Sequence, residues 1–380
     1  MNEKSSQQMN EKAHRRVGKV WGFVQQRWGA LAVLLGLILF PYIFSLLSGR
    51  PVTAGPPKFW QGQFIVMFIM AIYAMSYDLL LGYTGILSFG HAAFFGGGAY
   101  AMALFLKHLA PDLVSRYPLL LGTFNVTELL MILIGFVLAM VVAVVLGLLF
   151  SVVSARVKGA YFAMITLAMA QAIHILSKAT DFVQWTGADE GLHGVPIPFW
   201  LNPTRYRLRF YFIALAFAVI MYLVTRRIVN SPTGRVFVAL RDNESRVQMI
   251  GYNPAVYRAI AFTTSAVIAG LAGALFSLWT MSATPTMTSS FLTIDALIMT
   301  VLGGIGTLTG PIFGAALMEF LGHFFYQWFG PRWPLVFGVL FIVLVIFLPY
   351  GIVGTWQLRR AEWKYEGNPL KRWLGRKREA

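Results

Sequence analysis

The chain contains no cysteine, which excludes disulfides, thiolate nucleophiles and cysteine-based metal sites. Charge is scarce: 12% of its 380 residues are Asp, Glu, Lys or Arg, about half the share in an average soluble domain. A fully solvated surface therefore cannot be built around the whole molecule. Acidic residues are scarcer still, 15 against 31 Lys and Arg, for a net charge of +16. No G-x-x-x-x-G-K-[ST] stretch occurs, so the chain has no Walker A phosphate loop. No Ser/His/Asp set can be placed, and no metal-ligand cluster or enzymatic constellation emerges.

What is abundant is apolar sequence, 57% of residues. Apolar runs of about 20 residues recur, the length that crosses a bilayer core as a helix. Barrel strands would instead alternate polar and apolar residues in blocks of about ten. The pattern predicts an all-α, polytopic transmembrane helical bundle of about ten spans, some of them re-entrant. The spans fall near 28–47, 63–81, a third ending near Leu106, 129–153, 159–176, 210–225, 259–278, 291–302, 312–329 and 333–353. A basic tail, 1–27, precedes a membrane domain, 28–358, and a second basic tail, 359–380, follows. With both termini inside, 22 of the 31 Lys and Arg fall in inside segments. That bias favours cytoplasmic termini and places the loop 178–209 outside. The net charge then reflects this bias and anionic lipid, with no need for nucleic acid.

Two segments stand out against the apolar background. The first, GYTGILSFGHAAFFGGGAY at 82–100, is rich in Gly and suits a broken or re-entrant helix packed inside protein. The run GILSFGHAAFFG from Gly85 is faintly echoed by GTLTGPIFG from Gly306. Transporters often place broken helices at matching positions of two repeats, with the substrate site nearby; Gly-rich turns also resemble one another by chance. The second is a polar island, 226–258, with six Arg between two hydrophobic spans. Ser231 can cap a short helix that has Pro232 at its first position, with Val236, Phe237 and Leu240 on one face. Asn243 can cap a second short helix, in which Asp242 and Arg246 are spaced to pair; Gly251 ends it, and Pro254 blocks direct continuation. Such an island is either a surface helix that a partner grips or a solvated loop.

Ionisable groups within or near spans are few: Asp78, His91, His174, Asp295, Glu319 and His323. Each is a functional candidate by default, although Asp78 and Asp295 fall near span ends that water can reach, and His174 fits a packing role. An ion-coupled secondary transporter or channel would use His91, Asp78 or Asp295 as a relay.

Several stretches together resemble the permease subunits of bacterial branched-chain amino acid importers driven by ATP-binding cassettes. They are YDLLLGYTGILSFGHAAFFGGGAY (77–100), VKGAYFAMITLAMAQ (157–171), TGADEGLHGVP (186–196), GRVFVALRDNESRVQMIGYNPAVYRAIAFTTSAVIAGLAGAL (234–275), LIMTVLGGIGTLTGPIFGAAL (297–317) and FLPYGIVGTW (347–356). The loop at 186–196 points to the M-type subunit. The resemblance implies a pathway shared with a second, H-type permease, a periplasmic substrate-binding protein, and two cytoplasmic ATP-binding subunits that hold the ATP and magnesium. This chain itself would bind no cofactor, would not be an enzyme, and would lie in the bacterial inner membrane.

The resemblance also implies site residues. On the substrate pathway they are Gly82, Gly85, Ser88, Phe89, Gly90 and His91, then Thr166, and then Gly303, Gly304, Gly306 and Thr307. In the coupling segment they are Pro232, Gly234, Arg235, Phe237, Leu240, Arg241, Asn243, Glu244 and Gly251. Phe237 and Leu240 are expected to anchor on an ATP-binding subunit, with Arg235 and Arg241 at the rim. Glu190 and His193 charge a loop that is plainer in relatives. Leucine, isoleucine and valine therefore share the field with urea, short amides and other small acids.

Overall fold

The computed structural model describes residues 28–116, 120–121, 124–157 and 159–366. The expected tail 1–27 and residues 367–380 lie outside the described residues. The chain divides at Gln61 into two units.

The first unit holds helix α1 (Trp28–Ser48) and the start of α2 (Gly55–Asp78). Phe40 stacks on Phe44 at 5.6 Å, Phe44 meets the edge of Trp60, and Gln61 Nε2 donates to Val52 O across the turn.

From Gly62 onward the molecule is a helical bundle organised around α2. Its residues from Phe64 to Asp78 are almost all buried. Ser265 Oγ donates to Ser76 O, Thr300 Oγ1 to Ala74 O, and Phe68 packs on Tyr211. Every crossing segment is a helix because apolar surroundings offer no water to backbone N–H and C=O groups. Helix α2 ends in a five-residue π turn, Leu79–Tyr83, and the chain leaves helical geometry until α3 (His91–Leu104). A second π turn, Phe105–Leu109, carries the chain into α4 (Ala110–Arg116). The loop expected at 107–127 is thus helical to Arg116, and a small hairpin pairs β1 (Leu120–Leu121) with β2 (Phe124–Asn125).

The longest helix, α5 (Val126–Arg156), packs with α3 and α11 (Pro254–Thr280) as the centre of the bundle. Small residues set those distances: a Cβ on Gly98 would overlap the Gly270 carbonyl, and one on Gly273 the Phe95 carbonyl. Helix α6 (Ala160–Lys178) follows α5, and α7 (Val183–Thr186) is a single turn. Strand β3 (Leu192–His193) then pairs antiparallel with β4 (Ser282–Ala283). Helix α8 (Arg207–Val229) outlasts its expected end at 225 and carries Arg226 and Arg227 in its last turn. Two short helices, α9 (Pro232–Asp242) and α10 (Glu244–Met249), precede α11. After β4 come α12 (Ser290–Gly303), α13 (Gly310–Phe329), α14 (Trp333–Phe347) and α15 (Gly351–Glu366).

The membrane class agrees with the sequence, but the count differs. Among the described residues seven helical stretches are long and apolar enough to cross a bilayer. The expected eighth span is the 14-residue α12, which rises only about 21 Å. The expected third span is split between α3 and the π turn. The ninth and tenth fall within one apolar stretch, Gly310–Arg359, interrupted at Gly330–Arg332.

Candidate functional site

The two Gly-rich segments are both helix breaks, and the fold brings them into contact. Asp78, fully buried at the end of α2, accepts from Gly306 N at 2.6 Å and from Leu308 N at 3.2 Å. Water does not reach it, contrary to expectation. With backbone N–H groups on both carboxylate oxygens, it is placed as a clamp and not as a free proton relay. Gly82 is the contact point: a Cβ there would lie 2.5 Å from Gly306 N and would overlap Asp78 Oδ1. Gly306 turns at φ +73°, where an L side chain is strained. Thr307 closes the second break by donating to Gly304 O at 2.7 Å and accepting from Gly310 N at 3.0 Å. Gly303 abuts the carbonyl of Gly310, so α12 and α13 leave the break almost touching.

The first break continues into a buried polar cluster. Gly90 N donates to Ser88 Oγ, Phe89 N to Thr166 Oγ1, and Ala92 N to Thr293 Oγ1. The amides of Gly90 and Ala92 are among those a helix start leaves without intrahelical acceptors. His91 is fully buried, with Nε2 2.8 Å from Ser76 Oγ and its ring among Tyr73, Tyr77 and Phe94. Its Nδ1 lacks a partner. Gly90 is held between Phe150 and the Thr166 carbonyl. The structure thus gathers Ser88, Phe89, Gly90, His91 and Thr166 in one place, and Gly82 with Gly303, Gly304, Gly306 and Thr307 in an adjoining one. Gly85 lies on the exposed side of the first break. His174 is a packing residue: its Nδ1 lies 2.9 Å from Thr288 Oγ1 and 3.1 Å from Pro285 O.

In the polar island the local grammar holds. Ser231 Oγ accepts from Gly234 N, with Pro232 in the first helical turn. Asn243 Oδ1 accepts from Arg246 N, Gly251 follows the end of α10 at φ +94°, and Pro254 opens α11. Gly234 fits because a Cβ would strike the last carbonyls of α8. Asp242, however, meets Arg241 at 3.6 Å and not Arg246, because the break at Asn243 removes the helical i,i+4 relation.

The direction of the amphipathic face is the main correction. Phe237 is 0% exposed and Leu240 8%. Helix α9 packs on α8, the π turn and α11, so this face is already covered by the chain itself and cannot anchor a partner. Arg241 reaches inward as well, its Nη1 donating to Gly82 O at 2.6 Å, while its side chain stays 42% exposed and lies 3.6 Å from Asp242. Pro232, Arg235 and Asn243 remain exposed. Glu244 pairs with Arg258 at 2.6 Å, and Arg258 also donates to Ser154 O at the end of α5. Sequence reading did not single out Arg258, since an arginine at a helix start looks like any other solvated charge. It also missed the exposed apolar residues: Met249 is 79% exposed, Ile250 69%, and Tyr252 and Val256 are close to half.

The loop 186–196 lies beyond the C-terminal end of α6. It is held by the β3–β4 pair, by Lys107 Nζ donating to His193 O, and by Lys178 pairing with Asp189 at 3.2 Å. Asp189, Glu190 and His193 face outward from it.

Comparison with known proteins agrees with this architecture. The family described as branched-chain amino acid transport system, permease component, matches residues 62–348. The high-affinity branched-chain amino acid transport system permease protein LivM of Salmonella typhimurium is 24% identical over 354 residues, which cover 87% of this chain and 75% of the relative. The probable LivM protein of Methanocaldococcus jannaschii is 26% identical over 334 residues, covering 82% and 90%. The ribose import permease protein RbsC of Haemophilus influenzae is 29% identical over 136 residues, covering 34% and 37%. No solved structure matches the chain. The M-type resemblance read from the motifs agrees with these relatives, and the chain is a multi-pass membrane protein belonging to the branched-chain amino acid permease family.

Proposed function

We propose that the chain is one permease subunit of an ATP-driven importer for branched-chain or related small amino acids. A second permease completes the pathway, a binding protein delivers substrate outside, and two ATP-binding subunits drive the cycle inside. The termini and the α9–α10 segment face the cytoplasm of a bacterial inner membrane, on the charge bias of the loops. ATP and magnesium belong to the partner subunits. The observation that carries the ATP-driven part is the α9–α10 pair: an amphipathic unit lies over both helix breaks and has an exposed apolar corner at Met249 and Ile250. A partner that buries this corner and moves α9 acts directly on the breaks, where loosening the internal bonds would free N–H and C=O groups for a zwitterion. The ribose permease among the relatives keeps a second reading open, a small hydroxylated solute; uptake of labelled leucine against labelled ribose separates the two.

Two results are expected. A cysteine placed at Glu190 reacts with a membrane-impermeant maleimide added outside intact cells, with no background because the chain has no cysteine. Reaction only after the inner face is opened would reverse the orientation. Ile250→Glu leaves the chain folded, because the side chain is exposed, and weakens retention of the ATP-binding subunit by at least about tenfold, since burial of such a residue is worth about 1.5–3 kcal/mol. Full retention in the purified complex would remove Met249 and Ile250 from the contact.

A further inference from the structure

At the junction beneath α9 one residue is partly exposed yet bonded inward. Helix α2 ends in a π turn, and the carbonyl of Gly82 loses its regular taker. The amide of Gly85 still reaches Leu81 O in the helical way, but that of Ile86, four residues beyond Gly82, returns to Leu80 O. A helix end of this kind leaves acceptors that another group must satisfy, and a cation is favoured there. Arg241, in the last turn of α9, reaches the Gly82 carbonyl at 2.6 Å. Its stem crosses directly over Gly85, whose Cβ, if present, would lie 2.7 Å from Arg241 Cγ. Its Nη1 would lie 3.3 Å from a Cβ on Gly306, so the same guanidinium borders the second break. One turn back along α2, Asp78 holds that second break through the amides of Gly306 and Leu308. Arg241, Gly82, Asp78 and Gly306 therefore form one short chain of contacts from α9 through the first break to the second.

We infer that Arg241 is the positioning residue that transmits displacement of α9 to both helix breaks, with Asp78 relaying it from the first to the second. The linkage is mechanical: a charge-assisted bond joins α9 to the end of α2, and two further bonds to a buried carboxylate join α2 to the α12–α13 turn. This rests on the reading that α9–α10 meets a driving partner, but the junction itself lies within one chain and can be probed alone.

Two arms test it, both on the full-length protein. In the first, Leu308→Cys, at a buried position within the second break, is labelled with maleimide in the purified chain. Arg241→Gln is expected to raise the labelling rate by about tenfold and Arg241→Lys by less than about twofold, as loss and retention of one charge-assisted bond imply. An unchanged rate in Arg241→Gln would overturn the inference. In the second arm, the complex that copurifies with the chain is assayed for ATP hydrolysis and for uptake. Arg241→Gln should keep hydrolysis within about twofold and lose uptake by about tenfold, with Arg241→Lys restoring most of it. Equal losses of assembly, hydrolysis and uptake would make Arg241 a merely structural residue and also overturn it. A failure of the functional reading looks different: no ATP-hydrolysing subunit copurifies with the unaltered chain, while the labelling arm still reports.

Discussion

Phe237→Ala should reduce the stability of the permease itself, and loss of a docked partner should follow only from that. The side chain is 0% exposed, at the heart of the contact between α9, α8, the π turn and α11. Truncating a buried Phe to Ala costs about 3–5 kcal/mol, the lost transfer energy plus the cavity left behind. Against a typical net stability of about 5–15 kcal/mol that is a large share. The expected observation is a clear fall in the midpoint of thermal unfolding of the detergent-purified chain, measured without any partner. Ile250→Glu, at an exposed position, should leave that midpoint nearly unchanged. A Phe237→Ala variant of normal stability that nevertheless releases its ATP-binding subunit would return Phe237 to the partner surface.

Gly82→Ala should arrest transport although it adds a single methyl group. The ideal Cβ sits 2.5 Å from Gly306 N and 2.8 Å from Gly306 Cα, and it overlaps Asp78 Oδ1. Neither neighbour is the free end of a flexible side chain: one is backbone, and the other is a carboxylate fixed by two amides. The two breaks must separate, and overpacking of this kind costs about 1–3 kcal/mol. That cost falls on the contact that sets how the breaks move, so uptake should drop by more than tenfold, about 1.4 kcal/mol, while the amount of chain in the membrane drops far less. Gly338→Ala is the control, since nothing lies within 4 Å of a Cβ there. Normal uptake by Gly82→Ala would separate the junction of the breaks from the transport cycle.

Much of this was legible in the sequence for physical reasons that act locally. Caps at Ser231 and Asn243, the stop at Gly251 and the restart at Pro254 depend on a few adjacent residues, and the structure has each of them. The broken helix at 82–90 followed from glycine density. What escaped was set by distant packing. An amphipathic face at Phe237 and Leu240 shows that something covers it, and periodicity does not say whether the cover is a partner or the same chain. Hydropathy could not separate α12, too short to span alone, from a full span. Asp78 read as a water-reachable span end, because the amides that bury it belong to residues more than 220 positions away. Arg241 and Arg258 were indistinguishable from solvated charges until Gly82 O, Glu244 and Ser154 O were found beside them.

An ATP-driven importer of small amino acids must couple uptake to hydrolysis, and this coupling can be measured. It is tested most directly in proteoliposomes that hold the complex copurified with the chain, supplied with ATP on the side of α9–α10 and with a binding protein loaded with labelled leucine on the other. Accumulation should require hydrolysable ATP and persist when a protonophore collapses the proton gradient. Accumulation that proceeds without ATP and stops with the gradient would contradict it.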